Sequence, residues 1–130
     1  MRYLLLIILT CKIYASHISW YGDYDKAHQE ALKQKKHLLV LLIKKECPRC
    51  SEILTTVFKD QEYIDTINSK FISVIVTKNQ KSSYPIELLY TLHYPSIFFL
   101  DKHELFLTKP LYGSITPEIL KNYILTLRTR

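Results

Sequence analysis

The chain has 130 residues, of which 48% are apolar, and this is enough for one domain with a single hydrophobic core. Its formal net charge is +6, but the cations are dispersed and form no basic stripe interleaved with aromatic residues, so a nucleic-acid-binding protein is not expected. Three cysteines are too few for the multi-disulfide framework of small secreted domains.

Residues 1–15 are typical of a secretory signal peptide. Arg2 supplies the positive charge, an apolar stretch follows it, and Ala15 is a small residue suited to cleavage. Lys12 interrupts the apolar run at about half the length that a membrane span requires. We therefore expect cleavage after Ala15, a mature domain at residues 16–130 without a stable membrane span, and a periplasmic or secreted location. A lipoprotein or a membrane-anchored protein is the alternative.

A helix and a buried strand are predicted first in the mature chain. Asp23 can cap a helix that ends near His37. The residues expected on its inner face are Tyr24, Ala27, Ala31 and Leu32. Residues 38–43 are apolar without alternation, which is typical of a central strand that is covered on both faces.

A Cys-Pro-Arg-Cys motif follows this strand and opens a helical pattern. Pro48 is suited to the first helical position and pushes Cys47 out of the α region, so we expect Cys47 at the N-cap. Two cysteines three residues apart at a helix start can close a small disulfide ring. Cys50 shares a face with the apolar residues that follow it, Ile53, Leu54, Val57 and Phe58. This face turns inward, which leaves Cys47 at the surface and Cys50 behind it.

The helix start also sets the chemistry expected of Cys47. An unperturbed thiol has a pKa of about 8.5, and helix N-termini with basic neighbours lower that value to about 3.5–7.5. Pro48 fixes the sulfur at the helix start, where unpaired N–H groups favour the thiolate. Arg49 and Lys45, together with Lys44, are expected to lower the pKa of Cys47 further, whereas Glu46 opposes them.

The middle of the chain continues with a helix and a second strand. Residues 61–69 have a helical pattern with Tyr63, Ile64 and Ile67 facing inward, and residues 71–76 form an apolar run. A strand, a helical segment and a second buried strand make a βαβ unit. The two strands should therefore be parallel.

Three further elements are predicted in the last third of the chain. Residues 85–89 can form a short helix opened by a proline, and residues 97–100 and 105–107 are expected to pair as an antiparallel hairpin at the sheet edge. Thr116 can cap a final helix with Pro117 at its first position. The buried stripe expected on that helix consists of Ile119, Leu120, Tyr123, Ile124 and Leu127.

This order of elements resembles the thioredoxin fold, and more narrowly the exported thioredoxin-like proteins with an extra N-terminal helix. The residues that carry the resemblance are Trp20, the Ala27/Ala31 helix, Lys35-Lys36-His37, Cys47-Pro48-Arg49-Cys50, Tyr94-Pro95, Phe98-Phe99-Leu100-Asp101 and Gly113. It implies an α/β fold with a central mixed sheet of about four strands flanked by helices. It also implies that Cys47 attacks, Cys50 resolves and Pro95 is a cis-proline beside them, and that the backbone of Tyr94 pairs with a substrate strand.

The sequence departs from that family at three places. Glu46 occupies the position that is tryptophan in thioredoxin, so an aromatic platform is missing. Leu41 occupies the position of a buried acid that helps to deprotonate the resolving thiol in relatives, so Cys50 needs another group or water. Tyr94 and Ser96 flank Pro95 where many relatives have other residues, which affects substrate choice.

These observations favour a thiol-disulfide oxidoreductase that works through Cys47 and Cys50 without a cofactor. Its expected partners are protein disulfides or dithiols and a membrane-bound redox protein, and nucleic acid is not among them. The direction of electron flow stays open. Proline after the first cysteine with a basic third residue resembles Dsb-type oxidants, whereas many exported relatives are reductases.

Two alternatives from other classes remain. One is a module that binds or delivers copper or zinc through the two cysteines, since paired thiolates suit cuprous ion, although a closed zinc site wants four ligands. The favoured hypothesis includes no metal site. The other alternative is a redox-inert peptide-binding module.

Overall fold

The structure is a computed structural model that describes residues 17–79 and 89–127. Within these residues, five strands and four helices form an α/β fold. The predicted signal peptide lies outside the described residues, as does the predicted helix at 85–89 except for its last residue. No helix of the described part is both long enough and apolar enough to cross a membrane.

The sheet has the order β1-β3-β2-β4-β5. Its strands are β1 (Trp20–Tyr21), β2 (His37–Ile43), β3 (Phe71–Thr77), β4 (Ser96–Leu100) and β5 (Leu111–Tyr112). The helices are α1 (Tyr24–Gln34), α2 (Pro48–Thr56), α3 (Gln61–Lys70) and α4 (Pro117–Leu127). β2 and β3 are parallel, as predicted, and β1 is parallel to β3. β4 is antiparallel to β2, and β5 is antiparallel to β4.

The central strand β2 is apolar throughout because both of its faces are covered. Leu39 and Leu41 belong to one cluster of buried residues, which includes side chains of α2, α3 and α4. Leu38 and Val40 belong to a second cluster, to which α1 contributes Tyr24 and two alanines. The fold is therefore a three-layer sandwich with α1 on one face of the sheet and the other helices on the opposite face.

Helix α1 begins as predicted at Asp23, whose carboxylate accepts a hydrogen bond from the Lys26 N–H at 3.2 Å. It ends at Lys35 in the left-handed conformation, with φ of 56°. The placement of Leu32 on the inner face is wrong, since 43% of this side chain is exposed. Leu32 directly follows Ala31, so it is rotated by about 100° from the face that packs on the sheet.

The predicted antiparallel pairing between residues 97–100 and 105–107 is present only in a short form, in which the Asp101 N–H donates to the Leu105 carbonyl oxygen and the Leu107 N–H donates to the Phe99 carbonyl oxygen. In the sheet, the antiparallel neighbour of β4 on this side is β5. Residues 105–107 contribute a single bridge, between Leu100 and Phe106. The Asp101 carboxylate accepts hydrogen bonds from the N–H groups of His103 and Leu105 at 2.8 and 3.0 Å. This side chain holds the chain in a compact turn, in which Leu105 is 64% exposed.

The last helix follows its predicted capping pattern. The Thr116 hydroxyl accepts a hydrogen bond from the Ile119 N–H at 3.2 Å, and Pro117 is the first helical residue. The buried stripe is narrower than predicted, because Leu120, Ile124 and Leu127 are buried whereas 38% of Ile119 is exposed. Tyr123 is partly buried against the core.

A polar network connects α1 with the turn after β4. The Tyr24 hydroxyl donates to a Glu104 carboxylate oxygen at 2.9 Å, and the other oxygen lies 3.3 Å from His28 Nδ1. His28 Nε2 lies 2.8 Å from the Lys102 carbonyl oxygen. Burial, followed by the hydrogen bond to Glu104, raises the pKa of Tyr24 well above its ordinary value.

Candidate active site

Cys47 and Cys50 lie at the start of α2 and are joined by a disulfide, with their Cα atoms 5.2 Å apart. Cys47 is the N-cap residue, in an extended conformation, and Pro48 is the first helical residue. The Cys50 N–H donates to Cys47 Sγ at 3.1 Å. The first sulfur therefore lies at the end of the helix where the backbone N–H groups are unpaired.

The two sulfur-bearing residues differ in exposure. Cys47 is partly exposed, whereas only 3% of Cys50 is accessible. Cys50 packs inward because it begins the apolar face of α2, which continues at Ile53. An external thiol or disulfide can therefore reach Cys47, while Cys50 remains shielded behind it.

The predicted substrate-binding residues lie beside this helix. The Tyr94–Pro95 peptide bond is cis, and Pro95 is buried. Pro95 lines a cleft of about 200 Å³ together with Arg49 and Ile53 of α2 and Gly113. The Gly113 N–H donates to the Pro95 carbonyl oxygen at 3.3 Å. The proline and the cysteine motif, 45 residues apart in sequence, thus border one cleft.

Two buried hydroxyl groups hold the loop that carries Pro95. Ser96 Oγ and Thr91 Oγ1 lie 2.6 and 3.1 Å from the His93 carbonyl oxygen and donate to it. Thr91 Oγ1 also accepts from the His93 N–H at 3.0 Å. The role of Thr91 is not evident from the sequence, because no periodicity marks this residue, and its position four residues before a proline is the only available signal.

Three lysines lie next to the site, where the strands β2 and β3 end. Lys44 and Lys45 follow β2, Lys78 follows β3, and all three are exposed. The ammonium groups of Lys44 and Lys78 lie 5.5 and 5.6 Å from the centre of the Tyr94 ring. Lys78 was missed by sequence analysis, since it lies 31 residues beyond Cys47 and reaches the site only through the pairing of β2 with β3.

The sequence profile of the family described as thioredoxin-like matches residues 19–102, about two thirds of the chain. The chain belongs to the thioredoxin-like family. No curated protein matches it. The family and the fold class expected from the sequence are thereby confirmed, with five strands in the sheet in place of about four.

Solved structures with the same fold include a DsbH oxidoreductase, with a TM-score of 0.72 at 15% identity, covering 95% of this chain and 94% of that one. A thioredoxin from Thermus thermophilus has a TM-score of 0.69 at 15% identity, with 88% of each chain covered. A proposed disulphide-isomerase from Bacteroides thetaiotaomicron has a TM-score of 0.71 at 23% identity, covering 90% and 98%. At these identities the likeness concerns the fold.

Two residues at which the sequence departs from other thioredoxin-like proteins, Glu46 and Leu41, are described by the structure. Glu46 is exposed and adopts a left-handed backbone conformation with φ of 55° directly before Cys47. Leu41 is fully buried in the apolar core. Within residues 17–79 and 89–127 the buried polar side chains are Ser73, Thr91 and Ser96, so none of the described carboxylates lies buried behind Cys50.

The histidines of the described segments do not gather around the cysteines. No group of three or more histidine, cysteine or acidic side chains in these segments is arranged to hold a metal ion. His28 contacts Glu104, and the His93 ring packs 5.6 Å from the Tyr112 ring. The described segments therefore offer no three-ligand metal site at the cysteine motif.

Proposed function

We propose that this thioredoxin-like protein is a thiol-disulfide oxidoreductase acting on protein disulfides or dithiols. The observation that carries the proposal is the arrangement of Cys47 and Cys50, joined at a helix N-terminus with the first residue accessible and the second shielded. This asymmetry supports attack by Cys47 and resolution by Cys50. The proposed reaction needs no cofactor, since the two sulfur atoms themselves hold the electrons that are exchanged.

In the reducing direction, the Cys47 thiolate attacks one sulfur of a substrate disulfide. A mixed disulfide forms, and the second substrate sulfur leaves as a thiolate that takes up a proton. The Cys50 thiolate then attacks Cys47 Sγ, which releases the first substrate sulfur and leaves the Cys47–Cys50 disulfide. Two electrons pass to the substrate, and the reverse sequence oxidises a substrate dithiol.

The surrounding residues have distinct proposed roles. Pro48 fixes Cys47 at the helix start, and Arg49 and Lys45 stabilise its thiolate electrostatically. Pro95 and the backbone of Tyr94 align an extended substrate segment beside the disulfide. Since Leu41 replaces the family's acid, Cys50 gives its proton to water or to the departing substrate thiolate.

We also propose a periplasmic or secreted location after removal of residues 1–15, with a membrane-bound redox protein that resets the cysteine pair. Two features support this. The first residues have the charge, apolar run and small cleavage residue of an export signal. Protein disulfides also persist in oxidising compartments outside the cytosol.

The reduction potential of the cysteine pair tests this function and decides its direction. The purified mature chain, residues 16–130, is equilibrated with glutathione buffers, and the thiols of Cys47 and Cys50 are titrated. A value near −270 mV, as in thioredoxin, indicates a reductase, and one near −120 mV indicates a Dsb-type oxidant. A pair that does not exchange with glutathione would overturn the proposal.

Covalent trapping supplies the second test. A Cys50→Ala variant should retain substrates as mixed disulfides on Cys47, because the resolving thiol is absent. The matched control is the Cys47→Ser, Cys50→Ala double variant, which should trap nothing. Equal capture by the two variants would show that binding does not depend on the sulfur chemistry.

A further inference from the structure

Three lysines form a cationic pocket next to the candidate active site. Lys44, Lys45 and Lys78, together with Asn79, line a cavity of about 300 Å³. The pocket lies where the parallel strands β2 and β3 end, and the Lys78 N–H donates to the Ile43 carbonyl oxygen at 2.8 Å. This backbone hydrogen bond keeps the two lysine-bearing segments together.

The part of the chain that the structure describes provides no ion-pair partner for the lysines of this pocket. Neither the Lys44 nor the Lys78 ammonium forms an ion pair with a carboxylate of residues 17–79 or 89–127. Both instead lie about 5.5 Å from the Tyr94 ring centre, where the π-face attracts cations. Lys44, Lys45 and Lys78 line the same cavity, so an anion bound there would be attracted by all three charges and would lower the electrostatic energy.

Tyr94, whose ring lies near Lys44 and Lys78, is the residue directly before Pro95. In the proposed function, the backbone of Tyr94 pairs with the substrate segment whose sulfur reacts with Cys47. A side chain of that segment therefore passes close to the pocket of Lys44 and Lys78. The acidic residue nearest in sequence, Glu46, is exposed, and one carboxylate does not offset three ammonium groups.

We propose that the pocket of Lys44, Lys45 and Lys78 binds an acidic side chain that flanks the reacting cysteine of a protein substrate. This inference rests on the proposed function and specifies its substrate class: disulfide-bearing segments with Asp or Glu near the cysteine. The carboxylate approaches the two ammonium groups at the Tyr94 ring. Charge complementarity thereby selects among substrates that present the same sulfur chemistry.

The test compares peptide disulfides that differ only in charge. Three acetylated and amidated peptides contain one cysteine flanked by glutamate, glutamine or lysine, each as its disulfide-linked dimer. Their rates of reduction by the reduced mature chain, residues 16–130, are measured. We expect the glutamate peptide to react about fivefold faster than the glutamine peptide, from surface ion pairs with two lysines, and the lysine peptide to react more slowly than both.

A Lys44→Gln, Lys78→Gln double variant should abolish this preference. Lysine removal also makes the Cys47 thiolate less favourable, but that effect changes the rate with every peptide and cancels in the glutamate-to-glutamine ratio. The matched control is Lys33→Gln, since Lys33 is exposed and precedes the start of β2, whereas Lys44 follows its end. β2 lies between the two lysines in the chain and spans about 23 Å from end to end.

The outcomes separate this inference from the proposed function. A glutamate preference that the double variant and high salt remove, and that Lys33→Gln retains, supports the acidic substrate class. Equal rates for the three peptides, or a preference that survives in the double variant, would overturn it while leaving the oxidoreductase intact. If the reduced chain reduces none of the peptide disulfides and the oxidised chain oxidises none of the corresponding peptide thiols, the proposed function itself fails.

Discussion

Two buried tyrosines carry hydroxyl groups that the fold keeps protonated. The Tyr63 hydroxyl donates to the Val57 carbonyl oxygen, and the Tyr24 hydroxyl donates to Glu104. Burial, reinforced by Asp60, raises the pKa of Tyr63 above its ordinary value, in the same direction as for Tyr24. Both groups therefore affect stability on the alkaline side.

We expect the free energy of unfolding to decrease above pH 10. A tyrosine whose folded pKa lies above its unfolded value near 10 stabilises fully below that pH, and this contribution is lost as the pH rises through the folded value. Each of the two tyrosines contributes a slope of at most about 1.4 kcal/mol per pH unit. Urea unfolding between pH 8 and about 11.5 measures the decrease.

The control for the alkaline decrease is a Tyr24→Phe, Tyr63→Phe double variant. It should be less stable near neutral pH, because each lost hydrogen bond costs about 1 kcal/mol, but its stability should fall less steeply above pH 10. Tyr90→Phe should change neither quantity, since 67% of Tyr90 is exposed. An unchanged alkaline slope in the double variant would contradict the assignment.

At the scale of elements, side-chain caps define where α1 and α3 begin. Asp23 accepts from the Lys26 N–H, and Asp60 accepts from the Glu62 N–H at 3.0 Å. Each carboxylate also lies at the positive end of a helix dipole. The caps stabilise the two helices that pack on opposite faces of the sheet.

Replacing the cap of α1 should cost a measurable part of the stability. We expect Asp23→Ala to lower the free energy of unfolding by about 1 kcal/mol, because the Lys26 N–H loses its acceptor. Asp23→Asn keeps an acceptor oxygen and should lose less. The measurement is the urea midpoint, and equal losses in both variants would show that the charge, not the hydrogen bond, is responsible.

At the scale of the whole molecule, the central sheet links two apolar clusters. Alternate residues of β2 enter opposite clusters, so neither layer can be exposed without disrupting the strand that serves both. The edge strand β1 joins the same unit through Trp20, whose ring meets the Phe58 ring edge-on at 4.9 Å. The described residues should therefore unfold together.

The single tryptophan makes this cooperativity measurable. We expect the urea transition followed by Trp20 fluorescence to coincide with that followed by far-ultraviolet circular dichroism. Trp20 reports on the edge of the sheet, and dichroism reports mainly on the helices. A fluorescence transition at clearly lower urea would mean that β1 detaches before the rest of the fold.

How far the sequence predicts this fold depends on how local each signal is. Signals that depend only on neighbouring residues are predicted correctly. They are the apolar run of β2, the capping residue Asp23 and the helix start at Cys47–Pro48. The strand β1 was missed, because two residues are too short to have a period. The hairpin predicted with residues 105–107 is reduced to one bridge, and the sheet partner of β4 is instead β5, because tertiary packing decides which later segment pairs with β4.

In the candidate site, too, some residues are predictable from the local sequence and others are not. Cys47 and Cys50 are recognisable from their spacing and from the strand that precedes them. The contact of Lys78 with Tyr94 depends on the pairing of β2 with β3 and on the loop before β4. Contacts of this kind are set by tertiary packing, so no local pattern indicates them.

The compact turn held by Asp101 has a practical consequence for experiments on the intact protein. β4 runs from Ser96, beside Pro95, to Leu100, so the turn lies at the far end of a strand of about 17 Å. His103 is exposed in that turn. Immobilising the protein on a biosensor chip through this position would leave the cysteine-bearing end directed away from the support and open to arriving ligands.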